Sequence, residues 1–219
     1  METFEESKQK IISEITSDEP DVRHSYLERY KSQVDEFGTG MAKAILAWRD
    51  LDAGSEKEEA RAYVSALVYC AITLHIQSMR LFLSGHQVAA GNLSRQVIEA
   101  IALALLCSSK QLTVLKCFID DKYTSNPVTD LLNHYAKLGV KKDSIKVLKK
   151  AQKFYNKFSH PTKMTIAVVT PFSEEGLYVG ASFDEGKIAE YDKEVSGRTS
   201  LAGVFANFVE AVKANVTKW

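Results

Sequence analysis

Chain breakers are scarce in this sequence. Four prolines and eleven glycines among 219 residues leave long uninterrupted segments of the kind helices need. An excess of charge is also missing. Lys and Arg number 28 and Asp and Glu number 28, so no global pull toward nucleic acid or membrane follows. Cysteine is limited to Cys70, Cys107 and Cys117, an odd count without metal-ligand spacing. The expectation is reduced, buried thiols in a cytoplasmic protein. The acidic Met1–Glu6 segment has no apolar core, so no signal peptide is expected. The most membrane-like stretch, 62–83, contains His75, Gln77 and Arg80, and its uncharged part falls short of the roughly 20 apolar residues a span requires. That stretch and the shorter one around Leu103 read as buried helices of a soluble protein. No Gly-rich phosphate loop, carboxylate-rich metal motif, legible Ser–His–Asp arrangement, internal repeat or low-complexity tract is present. No metal and no cofactor are expected.

What is present is ordinary in amount and informative in pattern. Hydrophobic residues make up 45% and charged residues 26%, typical of a globular domain. The length suits one large core or two small ones. A short amphipathic helix is expected over 3–15, with Phe4, Ile11, Ile12 and Ile15 apolar. Asp18-Glu19-Pro20-Asp21 signals the start of a helix over 21–51, which the Gly38-Thr39-Gly40 triplet is placed to bend or split. Ser55-Glu56-Lys57-Glu58 reads as the cap of a helix over 56–84. Further helices are expected at 87–109, 111–123, 128–138 and 142–159.

The period then changes. Met164–Thr170 is rich in β-branched residues, Pro171–Gly176 reads as a turn, and Leu177–Phe183 reads as a returning strand. A lone hairpin needs a helical surface for stability. An acidic connector, 184–197, precedes a last helix over 199–217. The sum is a single all-α domain over 1–219. It is a multi-helix bundle with its core at 20–160, a small β-hairpin attachment at 164–183, and a C-terminal helix.

Three groups of residues carry the chemistry. Arg95 and Glu99 are the only charges, besides the ionisable His86, in the run from His86 to Cys107. Their i,i+4 spacing shares one helix face, and a helix apolar nearly all round is a buried one. The Arg-then-Glu order is the weaker one for an exposed pair. The plainer reading is a buried pair fixing helix register. The functional reading is a cleft-lining guanidinium, oriented by its carboxylate and available to phosphate. The second group is Tyr155, Ser159 and His160. Pro161 forbids helix at the preceding residue, so His160 stands at or past a helix C-terminus, where imidazolium is favoured. A phenol, a hydroxyl and an imidazole there suit acid–base work. The plainer reading is a cap and a packed ring. The third group is the lysine face of 141–157: Lys141, Lys142, Lys146, Lys149, Lys150, Lys153 and Lys157 against a lone Asp143. It suits phosphate-backbone contact. The plainer reading is a solvated face paired with Glu190, Asp192 and Glu194.

Two resemblances follow from these residues. Gly85, Ala90, Leu93, Arg95, Glu99 and Ala100, then Tyr155, Ser159, His160 and Pro161, resemble a family of uncharacterised bacterial helical proteins. That family carries a Gly…Ala…Arg-x-x-x-Glu helix and a Tyr…Ser…His-Pro helix end, and is distantly similar to HEPN-type bundles, some of them RNA-cutting toxins or defence factors. The resemblance covers about 60–163. It implies that Arg95, Glu99 and His160 converge on one cavity. Arg80 and His86, separated by five residues, are similar to the HEPN arginine–histidine pair. Leu81 stands where that motif has a polar residue, and Gly85 interrupts the helix.

Two functions fit these residues. The favoured one is a non-catalytic helical interaction or defence-related module, with apolar helix surface left for a homodimer and no membrane involvement. The alternative is a metal-independent ribonuclease or other phosphodiester-acting enzyme. In it His160 is the acid–base, and Arg95, held by Glu99, stabilises phosphate charge. Tyr155 and Ser159 orient the substrate, and Lys153 and Lys157 help to collect RNA.

Overall fold

The protein is described by a computed structural model covering residues 3–55, 58–173 and 176–219. Among these residues the regular structure is helical throughout: α1 (Phe4–Thr16), α2 (Pro20–Asp52), α3 (Glu59–Leu83), α4 (Gln87–Cys107), α5 (Val114–Ile119), α6 (Pro127–His134), α7 (Lys142–Tyr155), α8 (Lys163–Val169) and α9 (Ile188–Val216). Short 3-10 turns extend α6 over Tyr135–Leu138 and α7 over Asn156–Phe158. Local signals account for several boundaries. Pro20 and Pro127 occupy the first helical positions of α2 and α6. Asn126 Oδ1 accepts from Thr129 N at 3.0 Å, satisfying an orphan donor. The Ser55–Glu58 cap falls partly on residues 56 and 57, outside the described residues; Glu58 itself holds the N-cap position without a side-chain cap bond.

One contiguous buried cluster joins α2, α3, α4, α6, α7 and α9. The two longest helices, α2 and α9, lie against each other, α3 packs on α4 and α2, and α6 and α7 pack on α4. Gly40 makes the α2–α9 approach possible: a methyl there would sit 2.6 Å from the Ala202 carbonyl oxygen. Gly40 therefore serves close packing, Gly38 faces open space, and the triplet does not break α2. The kink lies instead at the buried Tyr30 (φ −109°, ψ 22°), whose hydroxyl donates to Asp192 Oδ1 at 2.9 Å.

Helices α3 and α4 are, by length and composition, long and apolar enough to cross a membrane. In their most apolar windows 44% and 61% of residues are buried inside the bundle. Among the cysteines only Cys107 is fully buried, its thiol pushed up to about 12 by burial. Cys70 is exposed and Cys117 half-buried, so burial of all three thiols is not what the fold delivers.

The hairpin expected at 164–183 does not form; the described residues contain no strand. Its first arm is the helix α8, begun by a reciprocal cap. Thr162 Oγ1 accepts from Met164 N and Thr165 N, and Thr165 Oγ1 accepts from Thr162 N at 2.8 Å. Its second arm is an irregular strap. Tyr178 N donates to Val169 O, and Ala181 N to Glu14 Oε1 of α1. Ser182 O accepts from Tyr26 and Phe183 packs edge-on against the Tyr26 ring at 4.8 Å. Helix partners thus take the backbone and aromatic groups that a second strand would have used. The acidic connector is likewise mostly helix. α9 begins at Ile188, because its apolar stripe continues backward through Tyr191 and Val195, both buried.

Candidate binding site

The Arg95–Glu99 pair forms as the spacing implies, with Arg95 Nε donating to Glu99 Oε1 at 3.0 Å. It is not sequestered. The two side chains remain 32% and 25% exposed, and Gln152 of α7 donates to the same carboxylate oxygen at 3.0 Å. The pair staples α4 to α7 at a half-wet seam. Ser159 Oγ donates to Asn92 Oδ1 at 2.8 Å, one helical turn before Arg95. Phe158 lies flat on Gly91, where a methyl would meet the ring at 2.4 Å. His160 is exposed, with no hydrogen-bond or ion-pair partner among the described residues. Tyr155 turns away from this group, its hydroxyl donating to Glu194 Oε2 of α9 at 3.4 Å.

The lysine face of α7 is exposed along its length, including Lys153 and Lys157. Lys146 pairs with Asp143 at 2.8 Å, and Lys157 stands over the Phe154 ring. The acidic residues expected to neutralise it are engaged elsewhere. Asp192 meets Arg29 and Tyr30, Glu190 faces Lys193, and Glu194 meets Arg198. Those carboxylates belong to α9, whose charged groups pair along α9 itself or against α2.

The polar centre of the molecule is one that the motifs did not indicate. Arg198 of α9 is 2% exposed. Its Nη1 is paired with Glu194 Oε2 and also donates to the Glu194 carbonyl. Its Nε donates to Ser78 Oγ of α3 at 3.2 Å. Ser78 in turn touches Ser94 Oγ of α4 at 3.1 Å. The guanidinium lies over the Phe82 ring at 4.8 Å and the Tyr155 ring at 5.8 Å, aromatic faces that favour a cation. Burial alone would lower its pKa; the neighbouring Tyr155 and the Glu194 carboxylate more than offset this and raise it, so Arg198 is charged. Burial raises the Tyr155 phenol. His75 of α3 is 1% exposed and stacks on Phe205. Burial lowers its pKa to about 3, outweighing the hydrogen bond to the Arg198 carbonyl, which raises it, with a smaller lowering from the charge of Arg198, so the ring is neutral.

Beside this centre is a cavity of about 660 Å³, between α4, α7 and α9 with His75 of α3 reaching it. Its walls are apolar, among them Ile98, Ile101, Leu148 and Phe208. Its polar lining includes His75, Ser94, Tyr155 and Arg198. The volume lies within the roughly 300–1,000 Å³ range of small-molecule sites, which share this pattern of apolar walls and few convergent polar groups. Among the described residues three buried side-chain nitrogens have no hydrogen-bond partner: Arg61 Nε, His75 Nδ1 and Arg198 Nη2. The first is ion-paired to Glu58 at 2.7 Å. The other two both belong to residues lining this cavity. Each buried unmet group costs about 1–3 kcal/mol, so their coincidence in one place calls for a physical reason.

Neither Arg95 nor His160 is among the lining residues. Two patterns in the sequence do point to the cavity. Glu194 and Arg198 stand at i,i+4 in the favourable order, and His75 and Ser78 interrupt an apolar helix at i,i+3. No family model, no curated protein and no solved structure matches the chain.

Proposed function

We propose that this chain is a non-catalytic helical binding module that takes a small, mainly apolar molecule into the cavity between α4, α7 and α9. The observation that carries this reading is the cavity itself, with apolar walls and a buried, charged arginine at its polar side. The phosphodiester-acting alternative needs Arg95, Glu99 and His160 around one substrate. The exposed, unpartnered His160 and the Gln152-bound Glu99 give that arrangement little support.

The test uses the neutral, environment-sensitive dye N-phenyl-1-naphthylamine. Its fluorescence should rise on mixing with the purified chain and stay low with Leu201→Trp or Ser144→Trp, which fill the cavity from α9 and α7. No rise with the unaltered chain, or equal rises with the filled variants, would remove the reading.

A further inference from the structure

Two residues of the cavity lining each keep one unmet buried atom, and the two atoms are of opposite sense. His75 Nε2 lies 3.1 Å from the Arg198 carbonyl oxygen. A carbonyl only accepts, so Nε2 carries the ring hydrogen. In the neutral ring Nδ1 is then a bare lone pair, an acceptor, buried and without a donor. Arg198 Nη2 is the converse, a buried donor without an acceptor. Its charge is already balanced by Glu194 through Nη1. The polar centre therefore lacks one acceptor and one donor, and its arginine has no uncompensated charge to offer an anion; the one lysine of the lining, Lys141, is exposed and belongs to another part of the wall.

From this pair we infer that the cavity takes a molecule with an apolar body and an uncharged head that both accepts and donates a hydrogen bond, of which a primary carboxamide is the simplest form. The head's carbonyl oxygen accepts from Arg198 Nη2, and its N–H donates to His75 Nδ1. The apolar body lies along the α4, α7 and α9 walls. A carboxylate fits poorly, since it has no hydrogen for Nδ1 and adds a negative charge beside Glu194. A ketone satisfies Arg198 alone. The inference rests on the binding-module reading and adds to it a rule for the head group.

The rule is tested by displacement of N-phenyl-1-naphthylamine at pH 7 with three probes sharing one alkyl chain: decanamide, undecan-2-one, in which a methyl replaces the amide nitrogen, and decanoate. Decanamide should displace the dye at a concentration about tenfold lower than either of the others. With His75→Phe, which keeps an aromatic ring against Phe205, the advantage of decanamide over the ketone should vanish. The wild-type comparison does not depend on that variant folding. Equal displacement by all three probes, or tighter binding of decanoate, would overturn the head-group rule and leave the binding-module reading intact. Dye binding that none of the probes displaces would do the same. Absence of dye binding and of any calorimetric heat with decanamide would overturn both.

Discussion

Two i,i+4 arginine–glutamate pairs sit in this bundle, and their environments invert what their sequences suggest. Arg95–Glu99 lies in an apolar and small-residue run, yet its side chains are a quarter to a third exposed. Glu194–Arg198 lies in a run rich in charge, yet its side chains are 12% and 1% exposed. The difference is one of helix face. On α4 the apolar and small residues cover most of the circumference, so composition does not say which stripe is deepest. Ser94 takes the buried position at the polar centre, and its neighbour Arg95 emerges at the α7 seam. On α9 the charged residues Glu190 and Lys193 face solvent, and Arg198 falls on the stripe shared with Tyr191, Val195, Ala202 and Phe205. A local window reports how many charges a helix carries; the packing of α2, α3 and α4 decides which of them is desolvated.

The largest effects should separate the two pairs. Arg198→Met leaves the Glu194 carboxylate without its cation, and should cost about 3–5 kcal/mol in urea denaturation. Adding Glu194→Leu should recover most of that loss, since a buried pair replaced by apolar groups is often neutral. A loss as small as that of an exposed pair would break the contrast. Next comes Gly91→Ala, at the seam that holds Ser159 beside α4. The added methyl meets the Phe158 ring, and should cost about 1–3 kcal/mol by the same measurement.

A smaller effect is pH-dependent. The folded-state pKa of His75 is lowered from 6.5 to about 3, so below 6.5 the unfolded chain binds a proton that the folded chain refuses. Its contribution to stability is complete above that value and is lost as the pH falls toward 3. The slope is about 1.4 kcal/mol per pH unit within the window. Urea midpoints measured from pH 7 to 5 should fall more steeply for the natural chain than for His75→Phe, and parallel curves would show that the imidazole is not held neutral by burial. The smallest effect is Arg95→Ala, expected at about 1 kcal/mol or less.

Much of the bundle is legible in the sequence because its signals are local. Pro20, Asn126-Pro127, Gly139 and Pro161 mark boundaries that the helices respect to within a few residues. The Arg95–Glu99 contact was likewise fixed by spacing. What was not legible depends on contacts far along the chain. The β-branched run 164–170 favours a strand by composition, but the Thr162–Thr165 cap starts a helix and the tyrosine cluster of α2 and α9 captures the strap that follows. The cavity is hidden for the same reason: its polar side is assembled from α3, α4, α7 and α9, residues 75 to 198. The exposure of His160 follows from the end of α7, where its neighbours make the contacts with α4. Phe158 takes the inward position against Gly91.

The contrast between the two arginines admits one direct readout, the side-chain Nε–Hε resonances of the ¹⁵N-labelled chain during titration with decanamide. The Arg198 signal should move to saturation while the Arg95 signal stays in place. Movement of Arg95 with Arg198 unchanged would contradict that contrast, and would return attention to the exposed seam of α4 and α7.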